Sequence, residues 1–312
     1  MGYPDHRGVP ELRATLAAYL GRVRGVRTEP ERVVITSGVW QGVGLLFAAL
    51  AEQGARRVAI ERPGWRGWRE NARLAGLEAV GLAVDADGLV VDELDALGGD
   101  PVAAVGVAPA HQFPTGAVLS ARRRGALVAW ARRTGGLVIE DDYDAEFRYD
   151  RKPIGSLQGL APEVVAYAGS ASKLLGPAIR LGWLVLPPSM RAPAEARLRA
   201  VGGAPAPLDQ LALAGLIERG ELDRHLRRQR RRYRARRDGL LAALAEALPD
   251  VAVEGAAAGL HAVLRLPDGL EETAVLAAAH ARGIALQGLG GDWPGLVVGY
   301  GNLGDGGVRS AV

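Results

Sequence analysis

"VVAYAGSASKLLGPAIRLGWLVLP", residues 164–187, decides what kind of fold this chain adopts. Its two ends, "VVAYAGS" and "LGWLVLP", read as buried strands: short, apolar and rich in Val, Leu and aromatic residues. Between them lies a turn with Pro177, which prevents one continuous helix. The turn holds Lys173, one of two lysines among the 38 Lys and Arg of the chain. The flanking Ala171, Ser172 and Leu174 predict a partly desolvated amine, and burial lowers an amine's pKa and frees it as a nucleophile toward a carbonyl. A plain surface lysine is the competing reading, and it is the one given to Lys152 in "RKPIG".

Outward from this stretch the same alternation repeats. A helix over 11–25 precedes the strand "RVVITSG" (32–38) and the helix "GVWQGVGLLFAALAEQG". Then come strand "RRVAIE", a helix from about Arg66 to Leu74, and strands "LEAVGLAV" and "AAVGVAP". A helix over 121–135 and the strand "GLVIEDD" lead back to residue 164. Alternating units with continuous apolar strands predict an α/β fold with a mostly parallel sheet and helices on both faces. Beyond Pro187 the pattern changes to two long helical stretches, about 191–219 and 221–247. The short strands "VAVEG", "GLHAVLRLP", "GIALQGL" and "GLVVGYGNL" and a helix at 270–282 follow. This predicts a large domain over 1–188 and a smaller α+β domain over 189–312.

The totals exclude several classes. With 312 residues, 48% hydrophobic and 23% charged, the chain suits a soluble globular protein. No apolar run reaches the length of a membrane span, and the N-terminus has no apolar signal core. With no cysteine there are no disulfides or thiolate metal sites, which fits the cytoplasm. A net charge of +3 does not call for nucleic acid. The arginine-rich run 224–237 tempts toward DNA, but interleaved Leu226, Tyr233 and Leu240 predict a helix with one packed side. His225, His261 and His280 are scattered, His6 and His111 are candidate pocket residues, and Trp130 is expected in the core.

Three further pieces carry chemistry. "SGVWQG" (37–42) joins a strand to a helix through Gly38 and offers free backbone N–H groups and a helix dipole to a phosphate, although many α/β loops of this kind bind nothing. In "GLVIEDDYDAEF" the strand period puts Asp141 and Tyr143 on one side, Glu140 and Asp142 on the other. A metal cluster and simple solvation compete for this acidic run, though no His lies close in sequence. "SASKLLGPAIR" gathers Ser170, Lys173 and Arg180, a hydroxyl, an amine and a guanidinium suited to a phosphorylated aldehyde.

Together these resemble a pyridoxal 5′-phosphate site. Over essentially its whole length the chain resembles the fold-type I aminotransferases, specifically the aminotransferase-like domain of MocR-type regulators of the GntR family. The resemblance is carried by "APAHQFPTG" (108–116), "IEDDYDAEFRYDRKPIGSLQG" (139–159) and "GSASKLLGPAIRLGWLVLPP" (169–188). It implies that Lys173 forms the Schiff base and shuttles protons in transamination, that Asp141 pairs with the pyridine nitrogen, and that Tyr143 bonds the ring's phenolic oxygen. Ser170, Arg180 and the N–H groups of Val39 and Trp40 would hold the phosphate. Trp65 would stack on the ring, and His111 and Gln112 would contact cofactor or substrate. Tyr3 would reach the phosphate of a neighbouring subunit, which implies a homodimer.

Two features depart from that pattern. The arginine that grips a substrate carboxylate has no evident counterpart in 287–307. Neither the winged helix–turn–helix nor the segment closing the site precedes "MGYPDHRG". The expected function is transfer of amino groups between an amine or amino acid and a 2-oxo acid. The alternative is an effector-sensing domain with little turnover, not expected to bind DNA by itself. A scaffold without cofactor is the third reading.

Overall fold

The computed structural model describes residues 5–149, 154–255, 258–290 and 294–301. The chain forms two compact units, one of residues 1–112, 117–143 and 154–223, the other of 113–116, 144–153 and 224–312.

In the first unit α1 (Pro10–Arg24) begins on proline and ends at Gly25, whose φ of 69° closes the helix in the left-handed region. Next come β1 (Val33–Thr36), α2 (Val39–Glu52), β2 (Arg57–Arg62), α3 (Arg66–Leu74) and β3 (Glu78–Asp85). The short β4 (Gly88–Leu89) and α4 (Glu93–Ala96) lead to β5 (Val102–Val107), α5 (Ala121–Thr134) and β6 (Leu137–Asp142). The quoted stretch supplies β7 (Val165–Ser170), the single turn α6 (Ala171–Leu174) and β8 (Gly182–Val185). Helices α7 (Pro188–Ala200) and α8 (Pro207–Glu218) follow, and α8 packs on α1.

These strands form one sheet of eight in the order β1-β8-β7-β6-β5-β2-β3-β4. Neighbours from β7 through β3 run parallel. Strand β8 is antiparallel to both β7 and β1, so β1 points the same way as β7. The C-terminal ends of β1, β2, β5, β6 and β7 therefore open on one edge, where β8 begins. Strands β1, β6, β7 and β8 are buried along their whole length. One core joins α2, α3 and α7 to the sheet through Phe47, Trp68 and Leu198, and another joins α4 and α5 through Leu94, Leu127 and Trp130. Cover on both faces is why these strands read as unbroken apolar runs. Trp130 is core, as expected.

The helix expected over 191–219 is instead the pair α7 and α8. Gly202 and Gly203 between them take φ of 96° and 86°, which a helix cannot contain, and Pro205 and Pro207 follow. Residues 189–223, grouped by pattern with the smaller domain, cluster here with the first unit. Strand β4 and helix α4 were not anticipated, being too short to show a period.

The second unit contains α9 (Glu221–Ala247) from Arg224 onward, β9 (Val253–Glu254), β10 (His261–Arg265), α10 (Glu272–Ala281), β11 (Gln287–Gly288) and β12 (Gly295–Gly299). Its antiparallel sheet runs β11-β12-β10-β9. Tyr149, Leu240, Leu244, Leu264, Leu296 and Tyr300 make its core. Along α9, Leu226 and Leu240 are buried and Tyr233 packs edge-on to Phe147 at 5.2 Å, while Arg227, Arg228 and Arg231 face solvent. One packed side is what the arginine-rich run predicted. No helix among the described residues is long and apolar enough to cross a membrane.

Candidate functional site

The residues singled out in the first unit gather at the sheet edge where the parallel strands end. After β1, Thr36 Oγ1 donates to the carbonyl of Gly38 at 3.0 Å, bending the chain into α2. Gly38 is the N-cap with φ 89°, and among the described residues no side chain caps this helix. The first-turn N–H groups of Val39 and Trp40 stay available, with the positive end of the helix dipole behind them.

Arg180 closes the other side. Its φ of 51° is left-handed, and its Nη2 donates to Ser37 O at 3.0 Å. A Cβ on Gly38 would stand 3.2 Å from Arg180 Nη2, so the guanidinium lies against the glycine turn. A Cβ on Gly182 would come within 2.7 Å of Gly38 Cα and C. Two bare backbones thus meet where β8 starts, beside the first-turn N–H groups of α2 and the Arg180 guanidinium.

Strand β7 delivers Ser170, which is buried, caps α6 and accepts the Ser172 N–H at 3.0 Å. Lys173 follows in the same turn. The desolvation expected for it is absent: α6 buries Ala171 and Leu174 and leaves Lys173 exposed. In a single turn the apolar neighbours in sequence point inward, which puts the lysine on the open side.

Strand β6 pairs with β7 so that Asp141 faces Ala168 in register. Asp141 is buried, and the half-buried Tyr143 places its hydroxyl 3.1 Å from His111 Nδ1. Glu140 and Asp142 take the other side of the strand. Glu140 accepts the N–H groups of Leu157 and Gln158, both at 2.8 Å. Asp142 pairs with Arg24 Nε at 2.6 Å and accepts the Tyr167 hydroxyl at 2.8 Å. These acids are therefore not solvated, because the strand carrying them is covered on both faces. Burial, with Asp142 beside it, raises the Glu140 pKa. Among the described residues no group of acids and histidines is placed to hold a metal.

Beyond β5, Gln112 is held by its N–H to Ala117 O at 2.9 Å and by Nε2 to Pro63 O at 2.8 Å. Trp65 is half-buried between Trp40 and Trp68, edge to face at 5.5 and 5.9 Å. His6 is not part of this group; it sits against Arg199 at 3.0 Å with Glu195 near. Tyr3 and Lys152 lie outside the described residues, as does much of 287–307. One residue was missed from sequence: Glu61, buried at the end of β2. Its signal was an acid closing the apolar run "VAI".

An uncapped helix start, a hydroxyl and a guanidinium around a bare glycine turn fit a phosphate. An amine one turn away and a buried carboxylate with a phenol on the adjacent strand fit a heteroaromatic aldehyde.

The family model for aminotransferase class I and II matches residues 1–287. The "HTH-type pyridoxine biosynthesis transcriptional regulator PdxR" of Corynebacterium glutamicum is 35% identical over 96% of this chain and 66% of its own length. The "Uncharacterized HTH-type transcriptional regulator YhdI" of Bacillus subtilis is 34% identical over 99% of this chain and 66% of its own. This chain thus spans just under two thirds of these regulators. Among solved structures, the alpha-aminoadipate aminotransferase LysN of Thermus thermophilus, complexed with N-(5′-phosphopyridoxyl)-L-leucine, superposes with a TM-score of 0.87. It is 26% identical, over 100% of this chain and 81% of that one.

Proposed function

The chain belongs to the aminotransferase class I and II family, and we propose that it is a pyridoxal 5′-phosphate domain that senses an amine or amino acid, as the effector half of a MocR-type regulator. It is a fold-type I domain related both to such effector domains and to aminotransferases. The observation that carries the reading is the meeting of an amine turn, a glycine–arginine anion turn and a buried acid at consecutive strand ends. The kinship with regulators at 34% and 35% identity favours sensing over turnover.

In this reading Lys173 holds the cofactor's aldehyde carbon through Nζ, and its exposure leaves it reachable by an incoming amine. Ser170, Arg180 and the N–H groups of Val39 and Trp40 hold the phosphate. Asp141 keeps the pyridine nitrogen protonated from inside the sheet edge. Tyr143, steadied by His111, donates to or accepts from the ring oxygen, and Trp65 covers a ring face. When bound, the cofactor supplies an electron sink for charge developing at the Cα of an attached amine. Lys173 Nζ would be the group to carry that Cα proton.

A second reading, transamination between an amino acid and a 2-oxo acid, is favoured by the presence of Lys173, Asp141, Tyr143, Ser170 and Arg180 together. Both readings imply a homodimer.

Purified protein is expected to take up pyridoxal phosphate, turn yellow, and carry the cofactor on Lys173 after borohydride reduction, as read by peptide mass. Lys173→Ala should lose both colour and label. A wild type that stays colourless with excess cofactor overturns the reading. Single-turnover mixing with amino acids separates the two alternatives: release of a 2-oxo acid means an enzyme, and a spectral shift without release means a sensor.

A further inference from the structure

Glu61 is the last buried residue of β2, at the same sheet edge, yet none of the roles above uses it. Its residue is 4% exposed. Oε2 accepts the Ala108 N–H at 3.2 Å and lies 3.4 Å from Gln112 Nε2. The same Nε2 donates to Pro63 O at 2.8 Å. Ala108 directly follows β5, and Gln112 ends the crossing that also carries His111. Glu61 thus touches both ends of the 108–112 segment from the neighbouring strand.

We propose that Glu61 is a positioning residue of this site, an acceptor that pins the 108–112 crossing and so sets where His111 meets Tyr143. The inference rests on the cofactor reading for one of its two readouts only. An apolar side chain here would leave a buried backbone N–H and a buried amide short of an acceptor, each a loss the segment can relieve only by moving. His111 would move with it, and the 3.1 Å contact to Tyr143 is the first to feel that shift. The work asked of Glu61 is acceptance and needs no charge. Burial pushes its pKa up to about 8, with the Asp141 charge adding to the rise, so near neutrality the group carries a proton. A glutamine is therefore its proper substitute and a leucine its deletion.

The test uses the whole chain as Glu61→Leu, Glu61→Gln and Gln112→Ala. The first readout is the His111 imidazole NMR signal in protein without cofactor, identified among the five histidines by its absence in His111→Asn. The second is the dissociation constant for pyridoxal phosphate. Glu61→Leu, which removes the acceptor, and Gln112→Ala, which removes one of its donors, should both shift or broaden the His111 signal and weaken binding by roughly tenfold, the loss of one buried hydrogen-bond partner. Glu61→Gln should hold both readouts near wild type. Should Glu61→Leu not fold, Glu61→Ala and Glu61→Gln decide on the same two readouts. An unmoved His111 signal in Gln112→Ala and Glu61→Leu overturns the inference, and so does a Glu61→Gln protein as impaired as Glu61→Leu. If wild type takes up no pyridoxal phosphate, the proposed function fails, and the His111 signal alone still judges Glu61.

Discussion

Gly182 meets the turn after β1 with no space for a side chain. An added Cβ would press on the backbone of Gly38, which has no rotamer to yield. Overpacking of this kind costs about 1–3 kcal/mol. Gly182→Ala is expected to lower the unfolding free energy measured in urea by that amount and to weaken pyridoxal phosphate binding in parallel, since both glycines shape the anion turn. Equal cofactor affinity at reduced stability would separate the turn from the phosphate. The same scale holds the clearest mismatch between sequence and structure. That Lys173 is singular was legible from composition. That it is exposed was not, because a single turn can present its third residue either way and only the seating of Ala171 and Leu174 in the core decides.

At the scale of the element, β6 shows how one strand divides its labour. The period of two put Asp141 and Tyr143 opposite Glu140 and Asp142, and their separate partners follow that division. What Asp142 does was not legible, since Arg24 lies 118 residues away and is bound only once α1 has packed. The pair is buried, with 7% and 1% of the two side chains exposed. Removing one partner of a buried pair strands the other charge and costs about 3–5 kcal/mol. Asp142→Ala should show a loss of that order in equilibrium unfolding. The double variant with Arg24→Leu should lose clearly less than the sum of the single losses. Additive losses would mean that the pair contributes no coupling. The α7–α8 break belongs here too: Gly202, Gly203 and the nearby prolines were visible signals of it, overridden in the reading by the apolar spacing on either side.

For the molecule as a whole, buried acids set how stability depends on pH. Glu61 releases its proton near 4.5 when unfolded and near 8 when folded. Between those values the unfolded state binds fewer protons, so stability falls as pH rises, by at most about 1.4 kcal/mol per pH unit for one group. Glu140, also raised by burial, acts in the same direction. Asp5 opposes at the acid end. The hydrogen bond from Arg7 lowers it from 3.8 to about 2, so its contribution is present above 3.8 and is lost as pH falls through 2. Urea unfolding should therefore show a less stable protein at pH 8 than at pH 5, with a smaller difference in Glu61→Gln. A drop of unchanged size in that variant would assign the effect elsewhere.

The sequence alone determined the alternation of strands and helices, the two kinds of domain and the residue types at the candidate site. Each of these is written in local periods, glycine turns and short contiguous motifs. The tertiary structure alone decided that the ends of the parallel strands share one edge, that residues 189–223 cluster with the large-sheet unit, that Lys173 is open and that Glu61 is sealed. Those outcomes depend on strand order and on contacts between residues far apart in the chain, and no local period encodes which distant surface will cover a given side chain.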